Sequence, residues 1–227
     1  MTLQQAIEAR HSVRQYTDRP IEPATIETLR QAIAEANEAG RLRLQLVTDE
    51  PKAFAEGMAK YGKFSGISNY IALVGPKGSD EAIGYYGEKI VLLAQTLGLN
   101  SCWVGLTFSK QPSHYTVEDG ETLKGVIALG YGATKGSAHA PKPMEKFYKS
   151  AVQPLPDWFV NGLKAALLAP TAMNMQKFEF ELIDNKTVAL HTKFTLVSTY
   201  TKLDLGIVRY HFEVGAGTDN FVWQTRL

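Results

Sequence analysis

Cysteine is all but missing from this chain: Cys102 stands alone among 227 residues. That excludes an internal disulfide and fits a reducing compartment. The five histidines, at 11, 114, 139, 191 and 211, show no metal-ligand spacing. With one thiol and no such spacing, no zinc or iron–sulfur site is implied. Charge of one sign is also lacking. Twenty-four basic residues against 23 acidic leave +1, so the long-range field favours neither nucleic acid nor an anionic membrane as a partner. An anion site, if there is one, must be local. No apolar run approaches the roughly 20 residues needed to span a bilayer, and the start, Met1-Thr2-Leu3-Gln4-Gln5-Ala6, lacks the basic and apolar regions of a signal peptide. The expectation is a cytoplasmic protein.

Familiar catalytic signatures are missing as well. Gly57-Met58-Ala59-Lys60-Tyr61-Gly62-Lys63-Phe64 has phosphate-loop glycine spacing, but Phe64 stands where a magnesium-binding Ser or Thr belongs and no strand precedes it. Gly130-Tyr131-Gly132-Ala133-Thr134-Lys135-Gly136 is one residue too long for a dinucleotide fingerprint and runs into prolines instead of a helix. There is no Gly-x-Ser-x-Gly elbow and no Ser-x-x-Lys.

What is present is an ordinary globular composition, 44% hydrophobic and 21% charged, arranged in clear periods. Thr2 and Gln5 have capping-box spacing ahead of a short helix ending near Arg10. Pro23 opens a second helix with Ile26, Leu29 and Ile33 on one face, and Gly40 is placed to end it. Leu42, Leu44 and Leu46 alternate as a strand, Tyr70 to Val74 reads as a buried strand, Asp80 to Leu97 as a long helix, and Gly125 to Leu129 as another strand. Residues 130–156 are rich in glycine and proline, and 133–156 is taken as a linker. Beyond it come a helix from Asp157 to Leu168 capped by Asp157, a hairpin of Phe178-Glu179-Phe180-Glu181-Leu182 and Val188-Ala189-Leu190 turned at Asp184-Asn185, a strand from Phe194 to Val197, and a helix from Leu203 to Val214.

The element order recurs. Leu42 to Leu46 aligns with Phe178 to Leu182, and Gly87 with Gly206, at spacings that differ by an indel. The chain therefore reads as two similar α+β halves, 1–132 and a shorter 157–227.

The one compact cluster with chemistry follows the first helix: Arg10-His11-Ser12-Val13-Arg14-Gln15-Tyr16. Two guanidiniums four apart, with a hydroxyl and free backbone N–H groups between them, make a clamp suited to phosphate. Taken alone, the segment reads first as a solvated basic turn.

This segment resembles the Arg-x-Ser-x-Arg-x-Phe/Tyr signature of FMN-dependent nitroreductases. Leu168-Ala169-Pro170-Thr171-Ala172-Met173-Asn174-Met175-Gln176-Lys177-Phe178 is similar to that family's Ala-Pro-Ser-x-x-Asn-x-Gln-Pro-Trp, and Leu97-Gly98-Leu99-Asn100-Ser101-Cys102-Trp103-Val104-Gly105 to its Gly-Leu-Gly-x-x-Trp-x-Gly. Gly130-Tyr131-Gly132 and Lys142-Pro143-Met144-Glu145 are similar to its closing elements. The resemblance implies a nitroreductase-like α+β fold, with a mostly antiparallel sheet flanked by helices, and bound FMN. It implies a phosphate held by Arg10, His11, Ser12 and Arg14, and a ring lined by Trp103, Val104, Gly105, Pro170, Thr171, Ala172, Asn174 and Gln176. Lys142 stands where the family has a phosphate-pairing Arg. Trp103 and Cys102 also read as core residues, and Tyr85 and Tyr86 as packing between the halves.

The departure is informative. The Asn-Gln element normally follows the clamp within the first helical hairpin, where this chain has Glu35-Ala36-Asn37-Glu38-Ala39-Gly40; here it returns after the linker. The pattern resembles a single-chain, duplicated, TM-nitroreductase-like subgroup with Gly84-Tyr85-Tyr86-Gly87-Glu88 and Cys102-Trp103-Val104-Gly105. That implies a pseudo-dimer with one complete site, monomeric or weakly dimeric. The activity implied is two-electron transfer from NADH or NADPH to a nitroaromatic, quinone or similar small molecule. The alternative is a flavin store or redox sensor without turnover.

Overall fold

The computed structural model describes residues 1–139, 142–194 and 200–224. Helix α1 (Leu3–Ala9) opens on a complete capping box: the Gln5 N–H donates to Thr2 Oγ1 at 3.2 Å and the Thr2 N–H to Gln5 Oε1 at 2.9 Å. Helix α2 (Pro23–Gly40) has proline in its first turn, where the missing N–H costs nothing. The residue that ends it is Arg41, in the left-handed region at φ 51°; Gly40 stays helical, pressed against the Tyr86 ring.

Strands β1 (Arg43–Val47), β2 (Tyr70–Pro76), β3 (Asn100–Val104) and β4 (Glu121–Gly130) form one antiparallel sheet in the order β1-β2-β4-β3. The apolar run in β2 is buried on both faces. Ile71 and Leu73 face a helical layer, while Tyr70, Ala72 and Val74 face a second cluster with Val13, Tyr16, Phe54 and Cys102. Between β1 and β2 lie the short α3 (Lys52–Ala55) and a 3-10 turn over Gly57–Gly62, the segment with phosphate-loop spacing.

The second sheet has the order β5-β6-β7-β8, with β5 (Tyr148–Ser150), β6 (Phe178–Leu182), β7 (Thr187–Thr192) and β8 (Val222–Trp223). β6 and β7 are the expected hairpin, and the outer strands join in parallel. β5 arises within 133–156, so this glycine- and proline-rich stretch contributes a strand to the second sheet. The expected strand from Phe194 to Val197 lies mostly outside the described residues, and Phe194 itself is exposed.

Helices α4 (Asp80–Thr96), α5 (Asp157–Leu167) and α6 (Thr201–Ala216) lie between the sheets, and one core cluster joins Ile71, Leu73 and Leu129 to Phe178, Phe180 and Val188 through them. Asp157 begins α5 without a side-chain cap and places its charge in the positive first turn. The helical centre is the crossing of α4 and α6. A Cβ on Gly84 would stand 1.9 Å from the Leu203 carbonyl oxygen, and one on Gly206 would stand 1.9 Å from that of Glu81. Each glycine meets the residue three before the other, a reciprocal contact of bare backbones. Gly87, by contrast, sits under the Trp103 ring. No helix among the described residues is long and apolar enough to cross a membrane.

Candidate functional site

After α1 the chain turns extended and runs along the edge of β3, with the Val13 N–H donating to the Ser101 carbonyl at 3.0 Å and Ser12 bridging Ser101. The period-two alternation that buries Val13 puts Ser12 and Arg14 on the opposite side. Arg10 and Arg14 are within electrostatic reach of the Cys102 thiol, and Ser12 hydrogen-bonds it. Burial raises that thiol's pKa, while Arg14, a hydrogen bond from Ser12 and Arg10 oppose the rise. Cys102 is therefore a buried, protonated thiol under the clamp.

Arg10 is only 5% exposed, and burial lowers its pKa against the raising pull of Glu88. Its Nε stands 3.9 Å from Glu88 Oε1, too far for a hydrogen bond, and neither Nε nor Nη1 has a hydrogen-bond partner among the described residues. A buried guanidinium with two orphaned nitrogens is costly unless an anion is to be bound there. Arg14 is exposed and makes no ion pair among the described residues. His11 lies under Gly136; its pKa is lowered by burial first, then by Arg10 and His139.

The Pro170 to Gln176 segment is held in a strained shape. Met173, Asn174 and Gln176 all have φ near 52°, a conformation non-glycine residues adopt only when their surroundings impose it. Four contacts impose it here. The Gln176 N–H donates to Thr171 Oγ1 at 3.0 Å and its side-chain Nε2 to the Leu167 carbonyl at 2.8 Å. The Ala172 N–H donates to the Asp204 carboxylate at 3.0 and 3.2 Å. Lys142 Nζ donates to the carbonyls of Asn174 and Met175 at 3.0 and 3.3 Å, so its ammonium braces this loop and not the clamp. Among the described residues, neither the buried Gln176 Oε1 nor the Asn174 amide has a hydrogen-bond partner.

His139 ties loop to clamp: its Nε2 lies 2.9 Å from the same Leu167 carbonyl that Gln176 uses, and it is within electrostatic reach of His11. One residue, His139, thus contacts the end of α5 and influences His11 electrostatically.

At the end of β3, the Trp103 Nε1–H donates to Glu88 Oε2 at 2.8 Å, which marks this side chain as part of the helical core. Val104 is buried. Gly105 faces the second half directly, since a Cβ there would come within 2.6 Å of the Tyr200 ring. Tyr200 and Asp204 were not among the residues singled out by motif. The available signal was an acid, Asp204, inside the apolar run Leu203, Leu205, Ile207; burial pushes its carboxyl up to about 7, against the Ala172 N–H. A separate cavity of about 410 Å³, lined by Gly78, Glu81, His191 and Lys202 among others, shares no residue with this arrangement.

Comparison with known proteins gives the arrangement a family. The family model described as "Putative TM nitroreductase" matches residues 2–216. No curated protein sequence matches. Among solved structures, a "putative nitroreductase" from Thermotoga maritima has a TM-score of 0.65 at 20% identity, covering 96% of this chain and 85% of its own. Nitroreductase A from Vibrio parahaemolyticus gives 0.53 at 16% identity, with 64% and 73% covered. A Desulfovibrio desulfuricans protein described like the Thermotoga one, in complex with FMN, gives 0.50 at 19% identity, with 69% and 99% covered. At such identities these likenesses establish the shared fold, and the family match, running from Thr2 to Ala216, establishes that the chain belongs to the TM-nitroreductase family.

Proposed function

We propose that the chain is an FMN-dependent oxidoreductase, with NADH or NADPH as donor and a nitroaromatic, quinone or similar small molecule as acceptor. The observation that carries this is the buried guanidinium of Arg10, two of whose nitrogens find no hydrogen-bond partner among the described residues, in the same short segment as Ser12 and Arg14. Together they suit a phosphate monoester, through charge-assisted hydrogen bonds. Bound flavin would supply the two-electron redox chemistry that side chains lack.

The residues do the rest. Arg10, Ser12 and Arg14, with His11 beside them, hold the phosphate. Pro170, Thr171, Ala172, Asn174 and Gln176 form the wall, kept in place by Lys142 and Asp204. Gly105 lets Tyr200 approach the backbone closely, excluding water at the end of β3. In this reading the halves 1–132 and 157–227 are a fused pseudo-dimer, supported by the reciprocal Gly84 and Gly206 contact.

A flavin-binding protein without turnover is favoured by one feature, the Tyr200 ring seated against Gly105. The test is the visible spectrum of protein purified with excess FMN, beside an Arg10→Ala/Arg14→Ala variant, followed by anaerobic NADH or NADPH. We expect stoichiometric flavin in the native chain, its loss in the variant, and bleaching by nicotinamide. Flavin that nicotinamide cannot bleach favours the store or sensor; colourless protein overturns both readings.

A further inference from the structure

Glu88 lies in the middle of α4 with no exposed surface, and both its oxygens are engaged. Oε2 accepts the Trp103 indole N–H, and Oε1 lies 2.8 Å from His211 Nε2 on α6. His211 is equally buried, and its Nδ1 stands 3.0 Å from the Ala165 carbonyl oxygen. A carbonyl oxygen can only accept, so Nδ1 carries a hydrogen. A second proton must then lie between Nε2 and Glu88, formally on imidazole or carboxyl, because two acceptors would otherwise face each other at 2.8 Å. In either arrangement the pair has no net charge. Tyr210, which also feels Glu88, is pushed up to about 12 by burial and stays neutral. The Glu88–His211 pair therefore presents no net charge to Arg10, whose Nε stands 3.9 Å away.

We propose that His211, contributed by the second half, is a positioning residue for the phosphate site of the first: by neutralising Glu88 it keeps the Arg10 guanidinium free for the anion. The inference rests on the reading of Arg10 as the flavin-phosphate clamp. Without His211, no cation on α6 offsets the Glu88 carboxylate 3.9 Å from Arg10 Nε, and the carboxylate draws the guanidinium closer. If Glu88 instead served as the ion-pair anchor of Arg10, removing its charge would damage the site.

The two roles separate in binding titrations of FMN and of riboflavin, which lacks the phosphate, on the native chain, His211→Leu, Glu88→Gln and the double variant. A glutamine at 88 can still accept from Trp103 and donate to His211 Nε2, so this variant keeps the core bonds. Expected are an FMN affinity lower by roughly tenfold or more in His211→Leu, a much smaller change for riboflavin, native-like FMN binding in Glu88→Gln, and recovery in the double variant. Loss of FMN binding in Glu88→Gln, equal losses for both flavins in His211→Leu, or no recovery in the double variant overturns the inference. If thermal unfolding shows that His211→Leu does not fold, Glu88→Gln decides alone: retained FMN affinity supports the role and lost affinity overturns it. A native chain that binds neither flavin overturns the flavin reading and this inference together, whereas native binding that no variant alters overturns the inference only.

Discussion

Asp204 shows how a single buried acid ties stability to pH. Its carboxyl is pushed up to about 7, well above its ordinary 3.8, by burial against one opposing N–H from Ala172. A carboxyl that binds its proton more tightly in the folded chain favours folding at low pH, and the advantage is lost as pH rises from about 4 through about 7. We expect the melting temperature to fall across that window, and Asp204→Asn to be more stable than the native chain at pH 8 by on the order of 2 kcal/mol, roughly 5 °C for a chain of this size. A native curve flat between pH 5 and 8 in calorimetry would sink this account. The cluster of Arg10, Ser12 and Arg14 can be picked out in the sequence because it is local, a few residues of continuous chain. Asp204, Glu88 and His211 cannot, because each gains its role from a partner more than 30 residues away. The contacts of Lys142 are hidden for the same reason, its carbonyl partners lying at Asn174 and Met175.

Among the elements, α4 and α6 set the geometry of everything else. Their backbones touch at Gly84 and Gly206, so any side chain there must push the helices apart. Gly206→Ala is expected to cost about 3 kcal/mol or to prevent folding. Gly98→Ala, where the left-handed backbone has open space around it, should cost only about 1 kcal/mol; denaturant midpoints of the two variants would separate these cases, and equal midpoints would rule out the contact as a strong constraint. Helices and strands with strong periods, such as α2, β1 and the β6–β7 hairpin, were readable from sequence. β5 was not, since three residues within a glycine- and proline-rich stretch become a strand only because β6 offers its edge. The termination of α2 was misplaced by one residue because a glycine signals a helix end equally well from inside a tight contact with Tyr86.

At the scale of the whole molecule, the sheets share one core through α4, α5 and α6, with His139 against Leu167 and Gly105 against Tyr200. Under the pseudo-dimer reading the chain is a monomer with one flavin. Light scattering combined with absorbance should give about 25.0 kDa and one FMN per chain; an obligate dimer that releases flavin on dissociation would contradict it. The backbone contact of Gly84 with Gly206 carries one more consequence. A cofactor cleft shared by two separate subunits is a bimolecular assembly and comes apart below its dissociation constant, whereas two walls fastened within one polypeptide meet by a unimolecular equilibrium. Occupancy of this site should therefore depend on the concentration of FMN and be indifferent to that of the protein, down to dilutions at which a two-chain cleft would already have emptied.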